Sequence, residues 1–363
     1  MRGVEEVREA AGHEAALHEM ALHKMALHKI EERIRVRSGE LLRDGTVSAV
    51  LGWAKGEFCY DLMPAFFETE KDLDDLVYNG FSASMLAKYL IEAGRREGKT
   101  LVLLKPCDTY NYNHLLKERK VDREKAYIIG AGCGGMLDIE KIKAKGVRGI
   151  KSIEEDVPDT GSGRRGVVFH TSSGDRTLVR GEILLEKCMT CKGLEHKVYD
   201  ELIGADAEAT WQIQDRFAQV EALEAMTPDE RFAFWRGELS RCMRCNACRN
   251  ACPVCSCNRC VFDNPGSGVL SRANADSFEE RMFHLIRAFH VAGRCTDCGE
   301  CSRVCPQNIP LHLLNRKFIR DIDVLYGEYQ SGADGAGGTP LTEYDAGDAE
   351  PGVAQGRGGV RRC

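Results

Sequence analysis

Residues 242–260 read CMRCNACRNACPVCSCNRC, seven cysteines in nineteen positions. A stretch so dense in thiols is not an ordinary core helix or strand. Its backbone has to wrap whatever the sulfurs bind, and one iron–sulfur or zinc site takes four of them. The chain holds 17 cysteines in 363 residues. Its first residues, MRGVEEVREA, lack the apolar stretch of a secretory signal. The thiols are therefore expected in the cytoplasm, where disulfides do not persist and metal is the better use of cysteine. A formal charge of −6 gives no basic footprint for nucleic acid. No apolar run approaches the ~20 residues that cross a bilayer, so no membrane insertion is expected.

Cys242, Cys245, Cys248 and Cys252 are spaced C-x2-C-x2-C-x3-C and are followed by Pro253. The run CTDCGECSRVCP places Cys295, Cys298, Cys301 and Cys305 at the same spacing before Pro306. This is the spacing of two-cluster ferredoxins, in which three thiolates wrap one 4Fe-4S cubane and the fourth ligates the other. Cluster one is thus expected on Cys242, Cys245, Cys248 and Cys305, and cluster two on Cys295, Cys298, Cys301 and Cys252. Zinc sites usually pair two C-x2-C units across a loop and do not call for two full runs ending in Cys-Pro. Cys255, Cys257 and Cys260 are left over. They either bind a further metal with a fourth ligand such as Cys59 or pack as small hydrophobic thiols. Arg241, Arg244 and Arg249 flank cluster one, whereas Asp297 and Glu300 lie between the ligands of cluster two. Positive charge favours the more negative, reduced cluster, so cluster one is expected at the higher potential.

The rest of the chain sets this module behind an α/β domain. Residues 16–30, ALHEMALHKMALHKI, repeat a pentapeptide, with His13, His18, His23 and His28 at steps of five. Such a step rotates about 140° on a helix, so the histidines wind around it instead of converging. Residues 1–45 read as a low-complexity helical extension that packs poorly. From 46 to 226 the pattern is α/β. SASMLAKYLIEAGRREGK (82–99) predicts a helix, TLVLLK (100–105) a buried strand, DTYNYNHLLKERK (108–120) a helix capped by Asp108, and AYIIGAG (126–132) a second strand. Strand, helix and strand at this spacing predict a parallel βαβ unit within a mixed sheet. GVVFHTSSGDRTLVR (166–180) predicts a hairpin turning at Ser-Gly-Asp. Residues 227–330 read as mostly helical. Thr227, Pro228 and Glu230 open a helix whose Phe232, Trp235 and Leu239 share a face, and SFEERMFHLIRAFHVAG opens at Ser277 and stops at Gly293. His284 and His290 on that helix project about 240° apart, which favours packing over haem. Residues 331–363 are Gly-rich and predict a disordered tail, with Cys363 a bystander.

Four more cysteines lie in the α/β region: Cys107 in KPCD, Cys133 in IIGAGCGG, and Cys188 and Cys191 in CMTC. Cys107 and Cys133 each follow a strand's C-terminal end, where open parallel sheets gather ligands. By spacing alone, buried structural thiols compete with a metal site. At KPCD, IIGAGCGG, CMTC and the downstream YDELIG, in that order, the sequence resembles the hydrogenase/dehydrogenase beta-subunit family of the deazaflavin coenzyme F-420. The likeness runs over roughly 50–325 and includes the two-cluster module. It implies that Cys107, Cys133, Cys188 and Cys191 hold a third 4Fe-4S cluster beside a flavin. The sequence departs from it where a flavin phosphate would meet the backbone. YNGFSASMLAKYL offers only Gly80, with Ser82 and Ser84 as donors, in place of a close-approach glycine pair, which argues against FAD.

Three clusters and no acid–base or nucleophile constellation describe a conductor of electrons, and catalysis by the chain alone is not expected. The leading reading is an iron–sulfur electron-transfer subunit of a cytosolic oxidoreductase. Its redox partner subunits, by resemblance, are those of a formate dehydrogenase, hydrogenase or heterodisulfide-reductase type. The alternative is a flavin-containing dehydrogenase acting on a deazaflavin or nicotinamide coenzyme.

Overall fold

The computed structural model describes residues 27–158, 165–204, 211–264, 266 and 277–341. Three of the histidines at five-residue steps, His13, His18 and His23, lie outside the described residues, as does the side chain of His28. The chain divides into two compact units. One comprises 1–109 and 121–214, the other 110–120 and 215–363. The break at 214 comes earlier than the expected boundary at 226, and Tyr110–Lys120, read as part of the α/β region, belongs to the second unit.

The first unit is built on β1 (Ala49–Lys55), β2 (Leu62–Phe67), β3 (Thr100–Leu104), β4 (Ala126–Ala131), β5 (Ile150–Pro158), β6 (Arg165–Thr171), β7 (Gly174–Val179) and β8 (Glu201–Ile203). One mixed sheet has the order β2-β1-β3-β4-β8, and a smaller one the order β5-β6-β7. β3 and β4 run parallel, from Thr100 opposite Ala126 to Leu104 opposite Gly130, and β1 and β8 extend the parallel set on either side. β2 closes one edge antiparallel to β1. The expected mixed sheet with a βαβ unit is present. Every residue of β3 is buried, as a continuous apolar run requires of a strand covered on both faces. The hairpin β6–β7 pairs Thr171 with Gly174, so Ser172 and Ser173 turn it and Gly174 is already in the strand.

Two local expectations are corrected. Between 82 and 99 there is no long helix, only a 3-10 turn at Ala87–Tyr89 and a single α-turn at Leu90–Ala93. Side chains satisfy the backbone there instead. Asp108 accepts from the N–H groups of Leu86 and Ala87, and Lys105 Nζ donates to the carbonyls of Ser82 and Ser84. For the same reason Asp108 is not an N-cap. The helix starts at Pro106, and Asp108 sits in its first turn. The N-terminal extension also packs where it is described. Helix Leu27–Arg43 buries Ile30, Ile34, Ser38 and Leu41, one face at helical spacing.

The second unit holds helices and, among the described residues, no strand. These are Ala218–Glu224, Pro228–Leu239, Ala247–Ala251, Ser277–His290, Glu300–Arg303 and Leu311–Tyr326. Thr227 and Glu230 form the expected capping box under Pro228. Leu239 is buried and Trp235 half-buried, but Phe232 stands 54% exposed, so it does not share their packed face. The Gly-rich tail is ordered over 331–341, against expectation. Ser331 Oγ donates to Arg294 O (2.9 Å), and Asn113 Nδ2 donates to Gly332 O (3.1 Å). Gly332 has φ +76°, and a Cβ there would lie 1.9 Å from the Tyr110 carbonyl oxygen. Only glycine permits that approach. Residues 342–363 lie outside the described residues.

Candidate metal centre

Both cysteine runs of the second unit adopt one backbone. Arg244 and Asp297, each two residues after the first cysteine, have φ of 54° and 56°. Asn246 and Gly299, each just after the second cysteine, have φ of 61° and 66°. Left-handed backbone at a bulky residue such as Arg244 is rare and costly, and such residues gather at functional sites. The result is a loop whose amides point at its own sulfurs. Arg244 N–H reaches Cys242 Sγ at 3.4 Å, and the backbone amide of Asp297 does the same for Cys295. Amide donors toward sulfur are what a cluster thiolate needs, and they tune its potential. Asn246, Asp297 and Gly299 could have signalled this in the sequence, because these residue types tolerate this conformation. Arg244 could not.

An open pocket is lined by Cys242, Cys245, Cys248 and Cys305, with Met243, Phe283, His284 and Ile309 among its other walls. Three cysteines of the first run and the last of the second thus line one space. Cys252 and Cys295 pack together against Val254 and Val291. The charges of Cys252 and Cys295 bear on Cys298, and that of Cys252 on Cys301. Burial pushes the Cys295 and Cys298 thiols well up, and Cys301 to about 12. Such thiols give up their protons to iron, not to water. Among the described residues no three His, Cys, Asp or Glu converge on a single bare ion. A cubane, wider than one ion, asks for a larger ring of sulfurs.

Polar side chains surround these sulfurs. His284 is buried, its Nε2 is 3.2 Å from Cys242 Sγ, and its Nδ1 meets no partner among the described residues. Burial, then the charges of Arg287 and Arg244, push its pKa down to about 3, so the ring is neutral. The acidic character expected around cluster two is cancelled. Asp297 pairs with buried Arg316 at 2.8 Å, and Glu300 with Arg303 at 2.5 Å. On the other run Arg249 is paired with Asp263 and Arg241 with Glu238, while Arg244 lies 3.9 Å over the Phe283 ring. The charge contrast that placed cluster one at the higher potential is therefore largely removed.

In the first unit Cys133 packs with Ala83, Met136 and Cys188. Burial pushes Cys133 up to about 12 and Cys191 to about 11, with the neighbouring Cys107 and Cys188 adding to both shifts. All four cysteines singled out there thus act on one another. Met136 N–H donates to Cys188 Sγ (3.3 Å), and the Cys191 thiol to Gly193 O (3.2 Å). Two side chains that sequence reading missed hold these loops. Buried Arg180 donates to the carbonyls of Gly134 and Gly135 (both 2.7 Å) and to Glu155 (2.6 Å). Trp211 Nε1 donates to Cys188 O (3.0 Å). Fully buried Lys105 lies 4.0 Å from the Trp53 ring, and the charges of Cys107 and Cys133 act on it.

The residues considered for a flavin do not form an open cradle. Gly80 N–H donates to Glu155 Oε2 (2.8 Å), and a Cβ at Gly80 would meet Glu155 at 2.5 Å and Leu137 at 2.7 Å. The space its missing side chain leaves is filled by protein, and by a carboxylate that repels phosphate. Ser82 Oγ accepts from Asn79 N–H, and the carbonyls of Ser82 and Ser84 take Lys105. These three residues do not fit the group. Of the spare cysteines, Cys59 packs against the Phe81–Leu137 core of the first unit and Cys255 beside Val254 in the second, while Cys257 is exposed.

Two ferredoxin-spaced cysteine runs, with cysteines of both lining one pocket, are the mark of an iron–sulfur protein. A 4Fe-4S dicluster domain model matches residues 238–309. The chain is 24% identical over 353 residues to the F420-dependent formate dehydrogenase subunit beta of Methanocaldococcus jannaschii, covering 78% of this chain and 88% of that one. It is 25% identical over 321 residues to F420-dependent formate dehydrogenase 1 subunit beta of Methanococcus maripaludis, covering 69% and 78%. A putative ferredoxin-3 of Sinorhizobium fredii is 31% identical over 80 residues, 22% of this chain and 75% of that one. A chain of the F420-reducing [NiFe] hydrogenase complex from Methanosarcina barkeri matches with a TM-score of 0.35 and 15% identity, over 45% of this chain and 62% of that one. The chain is thus an iron–sulfur protein with a 4Fe-4S dicluster domain, similar over most of its length to two F420-dependent formate dehydrogenase beta subunits.

Proposed function

We propose that this chain is the electron-transfer subunit of a cytoplasmic complex of the formate dehydrogenase or hydrogenase type. Its first 4Fe-4S group would sit on Cys242, Cys245, Cys248 and Cys305, its second on Cys295, Cys298, Cys301 and Cys252, and a third on Cys107, Cys133, Cys188 and Cys191. Each group would supply one-electron chemistry, and backbone amides are aimed at Cys242, Cys295 and Cys188. The observation that carries the reading is the cavity shared by Cys242, Cys245, Cys248 and Cys305, because it joins the two motifs as crossed ligation demands. Likeness to two formate dehydrogenase beta subunits over most of their length supports the partner class. Among the described residues no helix is long and apolar enough to cross a membrane.

The test is paramagnetic resonance of the chain purified without oxygen, comparing Cys305→Ser with Cys245→Ser and with Cys298→Ser. Crossed ligation expects Cys305→Ser to alter the same reduced-cluster signal as Cys245→Ser, although Cys305 lies in the other motif. If Cys305→Ser instead alters the Cys298→Ser signal, each motif holds its own cluster and the ligand sets are wrong.

A further inference from the structure

Arg287 is buried at the centre of the dicluster domain, on helix Ser277–His290. One guanidinium nitrogen donates to Cys248 O at 3.1 Å, while Nε is buried with no partner among the described residues. Among the described residues no carboxylate is paired with it, unlike Arg316 on Asp297 or Arg303 on Glu300. Burial opposes its charge, and Cys252, Cys301, Cys255 and Cys248 favour it, Cys252 foremost. A guanidinium stays ionised in any protein setting, so it has to be balanced by negative charge nearby. The groups placed to provide that balance are sulfurs. Two of them, Cys252 and Cys301, belong to the ligand set proposed for cluster two, and Cys248 to that of cluster one.

We propose that Arg287 is the fixed positive charge that sets the potential of cluster two, with its unpartnered Nε–H directed to cluster sulfur. The inference rests on the ligand sets above. Reduction adds one negative charge to the cluster, and a buried cation beside it stabilises that added charge, so it raises the potential. Because Asp297 and Glu300 are already neutralised by Arg316 and Arg303, Arg287 acts with no carboxylate opposing it. Cluster two is thereby lifted toward cluster one, against the order that the flanking charges in the sequence imply. Arg287 is a positioning residue, since it touches the ligands' surroundings and takes no electron itself.

The experiment is a redox titration of the full chain followed by paramagnetic resonance, with the cluster-two signal identified by its loss in Cys298→Ser. In Arg287→Met, cluster two is expected to be at least tenfold less reduced at a fixed potential, a fall of 59 mV for a one-electron couple. Cluster one is expected to move less, and Arg287→Lys to stay within threefold of the parent. The proposal is overturned if cluster two moves less than threefold in Arg287→Met, if cluster one moves more, or if the Lys and Met variants fall equally. If Arg287→Met and Arg287→Gln both lose cluster two while Arg287→Lys keeps it, the charge holds the cluster in place instead of setting its potential, and the proposal is overturned. Loss in Lys as well assigns the effect to packing and overturns it. Failure of the ligand reading shows separately, as a Cys298→Ser variant that keeps both dicluster signals in the parental background.

Discussion

Arg180 shows how much one residue can decide in this protein. Its side chain is 1% exposed and spends every guanidinium nitrogen on Glu155 and the carbonyls of Gly134 and Gly135, the two residues after Cys133. Arg180→Met would leave the Glu155 carboxylate, 7% exposed, buried without its partner. That is expected to cost about 3–5 kcal/mol in urea unfolding. It would also release the Cys133 loop, so the iron of the third site should be lost while the dicluster signals persist. A variant that unfolds like the parent and keeps all its iron would show the clamp to be dispensable. None of this was legible in the sequence. The two ferredoxin-type runs stand out by their spacing, because a cubane imposes a short, rigid interval on the chain. Arg180 touches partners 25 and 46 positions away, and no local pattern records such a contact. The same holds for Arg287 and its approach to Cys248 across 39 positions.

Among the elements, those whose burial follows their own periodicity were read correctly. TLVLLK and AYIIGAG are strands because a short continuous apolar run suits a doubly covered parallel strand at that length. Thr227–Glu230 capped its helix as read. The expected helix over 82–99 failed because helix propensity there lost to Asp108 and Lys105, which take the backbone groups one at a time. Helix Pro106–Lys117 is a further case, since all of it from Tyr110 on is allotted to the second unit. There Glu118 lies 2.5 Å from Arg294, the residue before Cys295, and 3.0 Å from His114. Burial raises the Glu118 pKa, but hydrogen bonds from His114 and Arg294 outweigh it and bring it down to about 2. The folded pKa lies below the unfolded value of 4.5, so the stabilisation is full above pH 4.5 and is lost as pH falls toward 2. Discounted for partial solvent screening, it amounts to about 1–2 kcal/mol. Glu118→Gln should be less stable by that amount at pH 7 in urea unfolding, and the gap should begin to narrow below pH 4.5. An equal gap at pH 7 and pH 4 would mean that the carboxylate's charge contributes nothing.

At the level of the whole chain, the fold class and the iron–sulfur chemistry were legible because the motifs are local. The division into units was not, since Tyr110–Lys120 joins the second unit through contacts with Arg294, Thr296 and Ser331 far along the sequence. That division has a consequence for assembly of the metal centres. All four cysteines of the proposed third site lie within the first unit, and all eight proposed for the dicluster within the second. A unit with its own core keeps its ligands in place when the other is damaged. Cys188→Ser should therefore lower the iron content from roughly twelve to roughly eight per chain, at four per cubane, with both dicluster signals and their potentials unchanged. Cys298→Ser should spare the third site in the same way. If Cys188→Ser instead strips iron from the dicluster too, the two units fold around their clusters as one cooperative whole. The third site would then be a structural requirement of the electron-transfer domain, not an independent station beside it.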